Sequence, residues 1–385
     1  MRHLNTVFHD VLKLVPWSAF EKLVDESGAD ELVRRLTTRQ QFTALLFGQL
    51  SGASSLRELV TTMESHSARL YHCGATPPKR STLADANSKR SSVVFSELFK
   101  TMLARQARGL RRKLTDAVRL IDSTSLRLAG AGAEWARFSA EVCGAKAHIV
   151  FDPQAAVPVY CEVSAANVND VSVAKPMPVE KGATYVFDLG YYDYGWWAEL
   201  HAADCRIVTR FKKNTPLKDV RARALFAPDA DILSDSIGFL PERQAKNRRN
   251  PMREAVREIV VRRQQAEPLR LLTNDLDSPA SEIADLYKRR WDIELFFRLM
   301  KQTLRITKFL GRSANAVRIQ IAVALIAYLL LSALRKHCDA ETSHLLMTRL
   351  IRGNLMHRKP ATRLRPERPK PPLDHRQLAL SFENA

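Results

Sequence analysis

From Asp116 onward the chain alternates in a way that few folds accommodate. Three β-rich runs come first, AVRLIDSTSLRL, AKAHIVFDP and VPVYCEVSAA. A short helical stretch over residues 167–180 follows, interrupted by Pro176 and Pro178. Then come a strand (TYVFDLG), a helix over 196–205 and a further strand (RIVTRF). The order β-β-β-α-β-α-β demands a mixed sheet with helices on its faces, which is an α/β fold. Asp122 and Asp188 are expected at the ends of apolar strands, where open α/β sheets build their sites.

A long amphipathic helix is expected over residues 286–304, LYKRRWDIELFFRLMKQTL. Ser278 serves as its N-cap and Pro279 as its first residue. At roughly 100° per residue, Tyr287, Arg290, Glu294 and Lys301 share a stripe about 60° wide. Leu286, Ile293, Phe297, Met300 and Leu304 form an apolar stripe beside it. A carboxylate between two cations and a phenol, at the edge of a buried face, is held where a site can form. Taken alone, the same pattern is that of a solvated face with i,i+4 pairs. Arg298 borders the stripe on its outer side.

Residues 212–272 separate RIVTRF from this helix. They are basic and contain strand-like runs, EAVREIVVRR and LRLLTND, so a β-rich insertion within a catalytic unit spanning 114–338 is expected. Residues 1–105 read as helices only. Leu4, Val7, Phe8, Val11, Leu12 and Val15 make one stripe, ended by Pro16, and Phe42, Leu45, Leu46, Gln49 and Leu50 make a second, closed by Gly52. Ser55 and Glu58 have capping-box spacing. The short polar helix STLADANSK, after Lys79-Arg80, suits a helix-turn-helix DNA reader; a plain helical accessory domain fits these residues equally well. Residues 357–385 form a basic, Pro-rich tail without apolar periodicity.

The formal charge of +19 calls for a polyanionic partner. Nucleic acid is the economical choice, with an anionic membrane surface as competitor. The five cysteines are scattered, without C-x-x-C, which speaks against a disulfide framework or zinc site and for the reducing cytoplasm. The apolar run 319–334 falls short of a membrane span and contains Gln320, so a buried helix packed on the 287–304 helix is expected.

Three carboxylates, Asp122, Asp188 and Glu294, crowd together at neutral pH only with a counter-charge. A pair of hard divalent cations such as Mg²⁺ supplies it and can activate a nucleophile against a phosphodiester.

The spacing Tyr287-x2-Arg290-x3-Glu294-x6-Lys301 resembles, without departure, the Y-R-E-K signature of the IS-four family of insertion-sequence transposases. IDST around Asp122 and FDLGYYDY around Asp188 look like that family's two aspartate regions, and SSLRE and STLADAN like the helical domain before one of its branches. The resemblance implies an RNase H-like domain with a DDE triad of Asp122, Asp188 and Glu294, using two Mg²⁺ or Mn²⁺ ions. It implies nicking of transposon ends, joining of the freed 3′-OH to target DNA, and a homodimer on double-stranded DNA. Arg290 and Lys301 would contact end phosphates, with Tyr287 positioning them. Leu189 departs from the family, where a basic residue often follows the second Asp. Hairpin-forming relatives stack a flipped base on an aromatic of the insertion. No Trp lies there, which leaves Phe226, Phe239, Trp196 and Trp197 as candidates that read equally as core. His148 is a further candidate near the site. A catalysis-free DNA binder and a different RNase H-like nuclease remain the rival readings.

Overall fold

The computed structural model describes residues 5–107, 117–128, 133–137, 143–224, 231–243, 249–306, 308–337 and 342–364. Leu4, part of the basic run after Lys100, Phe226 of the insertion and most of the Pro-rich tail lie outside them.

Seven helices open the chain: α1 (Val7–Lys13), α2 (Trp17–Glu26), α3 (Thr38–Ser51), α4 (Leu56–Ser65), α5 (Ser67–Leu70), α6 (Arg80–Lys89) and α7 (Val93–Ala107). The apolar stripes are buried as expected, and α3 ends at Gly52, whose φ of 80° puts it in the left-handed region. The full capping box is at Thr37 and Gln40. At α4 only half forms. Ser55 Oγ accepts from Glu58 N, but the Glu58 carboxylate turns to Ser54.

The strands are β1 (Val118–Leu128), β2 (Cys143–Asp152) and β3 (Val157–Ala165). Beyond α8 (Asp170–Ala174) come β4 (Thr184–Phe187), α9 (Tyr194–Ala202) and β5 (Arg206–Arg210). The insertion supplies β6 (Lys218–Ala222), β7 (Ile232–Phe239), β8 (Val256–Arg263) and β9 (Ala266–Thr273). All nine form one mixed sheet in the order β3-β2-β1-β4-β5-β9-β8-β7-β6. β4 runs parallel to β1 and β5, and the other pairings are antiparallel. The insertion thus extends the sheet through β9 beside β5. Asp235 and Arg257, both buried, form a forked ion pair within it, and Arg257 also donates to Ser278 O, tying the insertion to the turn that follows β9.

The last helices are α10 (Ala280–Lys288), α11 (Trp291–Arg298), α12 (Ala314–Lys336) and α13 (His344–Asn354). The single helix expected over 286–304 is therefore segmented. Arg289 and Arg290 form a tightened turn between α10 and α11, with Arg290 N donating to Tyr287 O, and residues Leu299–Thr303 form a π turn. The helix starts one residue later than expected, with Pro279 at the N-cap position. Ser278 instead accepts from Arg206 and is part of the Asp275 turn.

Two cores flank the sheet. On one face Trp196 and Trp197 of α9, Val171 and Ala174 of α8 and Tyr191 of the turn after β4 pack against Ile121, Tyr185, Phe187 and Ile207 of the sheet. On the other, one core joins the N-terminal helices, the inner faces of β1–β3 and α10–α13. α12 lies at its centre. It is long and apolar enough to cross a membrane, yet 89% of its apolar window is buried within the protein. Its neighbours differ from the expectation. It packs chiefly on α3, α6 and α7 and meets α11 through Phe296 and Tyr328, whose ring centroids are 5.1 Å apart. Each fully buried Leu or Ile contributes about 1.5–3 kcal/mol, so α12 is a main stabilising element.

Candidate active site

Asp122 lies within β1, not at its end. The β1–β4 register pairs Leu120 with Val186, and two residues further on it sets Asp122 beside Asp188. β4 stops at Phe187 while β1 continues, so Asp122 sits where its parallel neighbour ends. That recovers the strand-end placement by a different route. Asp188 leaves the sheet in a short turn, and its Oδ1 accepts from Gly190 N at 2.8 Å. Asp122 Oδ1 accepts from Ser123 N at 2.8 Å.

Glu294 approaches on α11, which packs against β1. Arg290 Nη1 is 3.2 Å from Asp122 Oδ2, and its Nη2 is 2.5 Å from Glu294 Oε1. One guanidinium therefore spans two of the three carboxylates. Burial works against the Arg290 charge, but Tyr287, Glu294 and Asp122 outweigh it and raise its pKa. Asp122 shows the reverse strain. Burial, with the negative charge of Asp188 and Glu294 added, pushes its carboxyl up to about 6 despite the Ser123 amide and Arg290.

Tyr287 is buried under Arg290, whose guanidinium stands 5.9 Å from the ring centroid. Burial raises its phenol pKa, while Arg290 and Arg210 oppose the rise. Lys301 sits on the π turn; burial lowers its pKa and the Asp122 charge opposes that. Asp122, Asp188, Glu294, Tyr287 and Arg290 thus gather at one place, and Lys301 stands on the adjoining π turn. Arg298, the outer residue, is exposed. Trp196 and Trp197 are fully buried core, so neither is open to stack a base, whereas Phe239 and Trp291 are exposed. His148 is buried with its Nε2 2.8 Å from Ser164 Oγ and belongs to the opposite face of the sheet. That face also holds Ser123, Lys146 and Asp170, which the sequence did not single out because each stands alone in its stretch.

The donor set fits hard divalent cations: three carboxylates, all oxygen, one with its charged form disfavoured by burial and by its two carboxylate neighbours. Among the described residues no three such side chains yet converge as a closed ligand set. The Arg290 guanidinium occupies the position between Asp122 and Glu294.

A groove of about 470 Å³ opens beside Glu294, between β7–β9 and α10–α11. It is lined by Arg262, Arg263, Lys288, Arg290, Trp291 and Glu294 among others. Its cations and exposed indole suit a nucleic-acid strand.

Residues 113–330 match the model of the transposase DDE domain, and residues 3–76 match a domain of unknown function. The chain is 40% identical over 257 residues to a putative transposase of Sinorhizobium fredii, covering 66% of this chain and 71% of the relative. It is 27% identical over 263 residues to a probable insertion-sequence transposase of Geobacillus stearothermophilus, covering 66% and 68%. A piggyBac transposase in a synaptic complex with hairpin DNA aligns with 96% of this chain and 83% of its own, at 12% identity and a TM-score of 0.46. With that family come DNA as the partner and dependence on a divalent metal. The chain belongs to the DDE-domain transposases of insertion sequences.

Proposed function

We propose that Asp122, Asp188 and Glu294 carry the cleavage of insertion-sequence ends and their joining to target DNA. The observation that carries this reading is the approach of Asp122 and Glu294 on either side of Arg290, with Asp188 in register beside Asp122. The three carboxylates would hold two ions, Mg²⁺ or Mn²⁺. Bound there, such ions activate the attacking oxygen and stabilise the leaving one. Arg290 then exchanges its carboxylates for a phosphate of the end DNA, Lys301 contributes a second cation, and Tyr287 fixes the Arg290 guanidinium from below. The strand order β3-β2-β1-β4-β5, three antiparallel strands and then two parallel ones, supports an RNase H-like catalytic unit over 114–338 with an insertion over 212–272. Residues 1–105 present α6 for end recognition, the 357–385 tail adds basic charge, and the working form is a homodimer on DNA in the cytoplasm.

Purified protein with end DNA and Mg²⁺ or Mn²⁺ should give strands with free 3′-OH ends and joined products. Absence of any divalent-dependent cleavage would remove this reading.

The Arg290 position makes a sharper expectation. Each charge-assisted contact is worth about 1.5–3 kcal/mol, so Arg290→Ala should lower cleavage roughly ten- to a hundredfold. Arg298→Ala should cost less. Divalent affinity should rise in Arg290→Ala, because a resident competitor for Asp122 and Glu294 has gone. Calorimetric titration with Mn²⁺ measures this. Equal cleavage losses at Arg290 and Arg298, with no change in metal affinity, would make Arg290 one more surface cation.

A further inference from the structure

Asp122 and Ser123 are adjacent on β1 and point to opposite faces of the sheet. Behind the carboxylates, on the Ser123 side, Asp170 stands on α8. Its Oδ1 accepts from Ser123 Oγ at 3.1 Å and from Lys146 Nζ at 3.0 Å, and His148 Nδ1 lies 3.7 Å away. Its Oδ2 closes on the turn after β4. A Cβ built on Gly190 would stand 3.2 Å from Asp170 Oδ2 and 3.0 Å from Asp188 Oδ1, so the turn lies close between the two carboxylates and a larger residue there would make them give by a few tenths of an ångström. Gly190 N in turn donates to Asp188 Oδ1, and Ser123 N to Asp122 Oδ1. Hydrogen bonds therefore run Asp122–Ser123–Asp170 on one side and Gly190–Asp188 on the other, and α8, which carries Asp170, packs against the turn that carries Gly190.

We propose that Asp170 is a positioning residue: through Ser123 and the Gly190 turn it fixes the relative placement of Asp122 and Asp188. Lys146 neutralises Asp170, so the brace adds no net charge to a site already crowded with carboxylates. This rests on the reading of Asp122 and Asp188 as the residues that hold the cations. Partners of this kind typically alter metal affinity by about 10- to 100-fold when removed.

The test uses the full chain with Asp170→Ala, Asp170→Asn, Ser123→Ala and the Ser123→Ala/Asp170→Ala pair. Three quantities are read: Mn²⁺ affinity by titration followed with electron paramagnetic resonance, kcat and KM for end-DNA cleavage, and Tm in chelator. Asp170→Ala and Ser123→Ala should each weaken Mn²⁺ binding by about tenfold and lower kcat while KM for DNA holds. The pair should be no worse than Asp170→Ala alone, because Ser123 acts through its bond to Asp170, which is already lost there. Asp170→Asn, which keeps the acceptor oxygen, should recover part of the affinity.

Additive losses, or Mn²⁺ affinity unchanged while only Tm falls, would make Asp170 a fold residue and overturn the proposal. Loss of Mn²⁺ binding as complete as in Asp122→Asn would make it a ligand and overturn it equally. If Asp170→Ala does not fold, Ser123→Ala against Ser123→Ala/Asp170→Asn carries the same comparison. Wild-type protein that binds no Mn²⁺ at all would sink the cation-holding reading itself, a result distinct from failure at Asp170 alone.

Discussion

Asp122→Asn is expected to abolish cleavage and, at the same time, to make the metal-free protein more stable. Asp188→Asn and Glu294→Gln should abolish cleavage too, since each removes an anionic oxygen from the set that neutralises the cations. The stability gain is particular to Asp122. Its carboxyl is pushed up to about 6 by burial, then by Asp188 and Glu294. A raised pKa means that the folded protein favours the neutral acid. The stability that Asp122 contributes is therefore complete below its ordinary pKa and is lost as pH rises through about 6. At pH 8 the charged carboxylate costs on the order of 2–3 kcal/mol, and the amide, a neutral isostere, removes that cost. Arg290 loses one partner but keeps Glu294. Thermal unfolding in chelator at pH 8 and at pH 5 should show Asp122→Asn above wild type at pH 8 and close to it at pH 5. A variant less stable than wild type at pH 8 would show that the Arg290 pair outweighs burial. Wild-type cleavage in any of the three variants would take that residue out of the triad.

The second large effect is on DNA affinity. With a net charge of +19, binding to end DNA should fall by on the order of 10³-fold between 50 and 200 mM salt if about six phosphates or more are contacted. A weak salt slope would mean that the surplus charge is not spent on phosphates. Sequence preference is a separate matter. Removing residues 1–105 would strip α3, α6 and α7 from α12 and expose its apolar surface, so truncation cannot isolate recognition from folding. Exposed positions on α6 can: Ser81, Thr82 and Asp85 face solvent, while Leu83, Ala86 and Asn87 face the core. Alanine at the three exposed positions should reduce preference for the cognate end more than general affinity. Binding competition between cognate and scrambled ends reads this, and preference left intact would remove α6 from recognition.

The site was legible because its residues have fixed spacing on one helix and sit in two short apolar contexts. Tyr287, Arg290, Glu294 and Lys301 stay on one side despite a break the periodicity hides. The turn at Arg289-Arg290 and the π turn at Leu299–Thr303 are local changes of hydrogen-bond partner, and neither needs a Gly or Pro to announce it. The order of strands up to β5 was legible from alternation and length. β6 and β7 were not, since every β6 side chain is exposed and β7 mixes Ser, Asp and Gly into its apolar run. Nothing in sequence reveals that the insertion continues the main sheet, because β5–β9 pairing is a contact between distant residues. The double grip of Arg290 was hidden for the same reason: Glu294 is one turn away, but Asp122 is 168 positions distant.

The position of α12 bears on how the protein is made. The faces of α3, α6 and α7 are completed by a helix that begins only at Ala314. At roughly 5–20 residues per second, a ribosome that has finished α3 needs on the order of tens of seconds to deliver that partner. Through that interval the early helices hold apolar surface with nothing to cover it, a state that invites chaperones. A message cut short before Ala314 leaves the faces of α3, α6 and α7 without the helix that covers them in the folded protein.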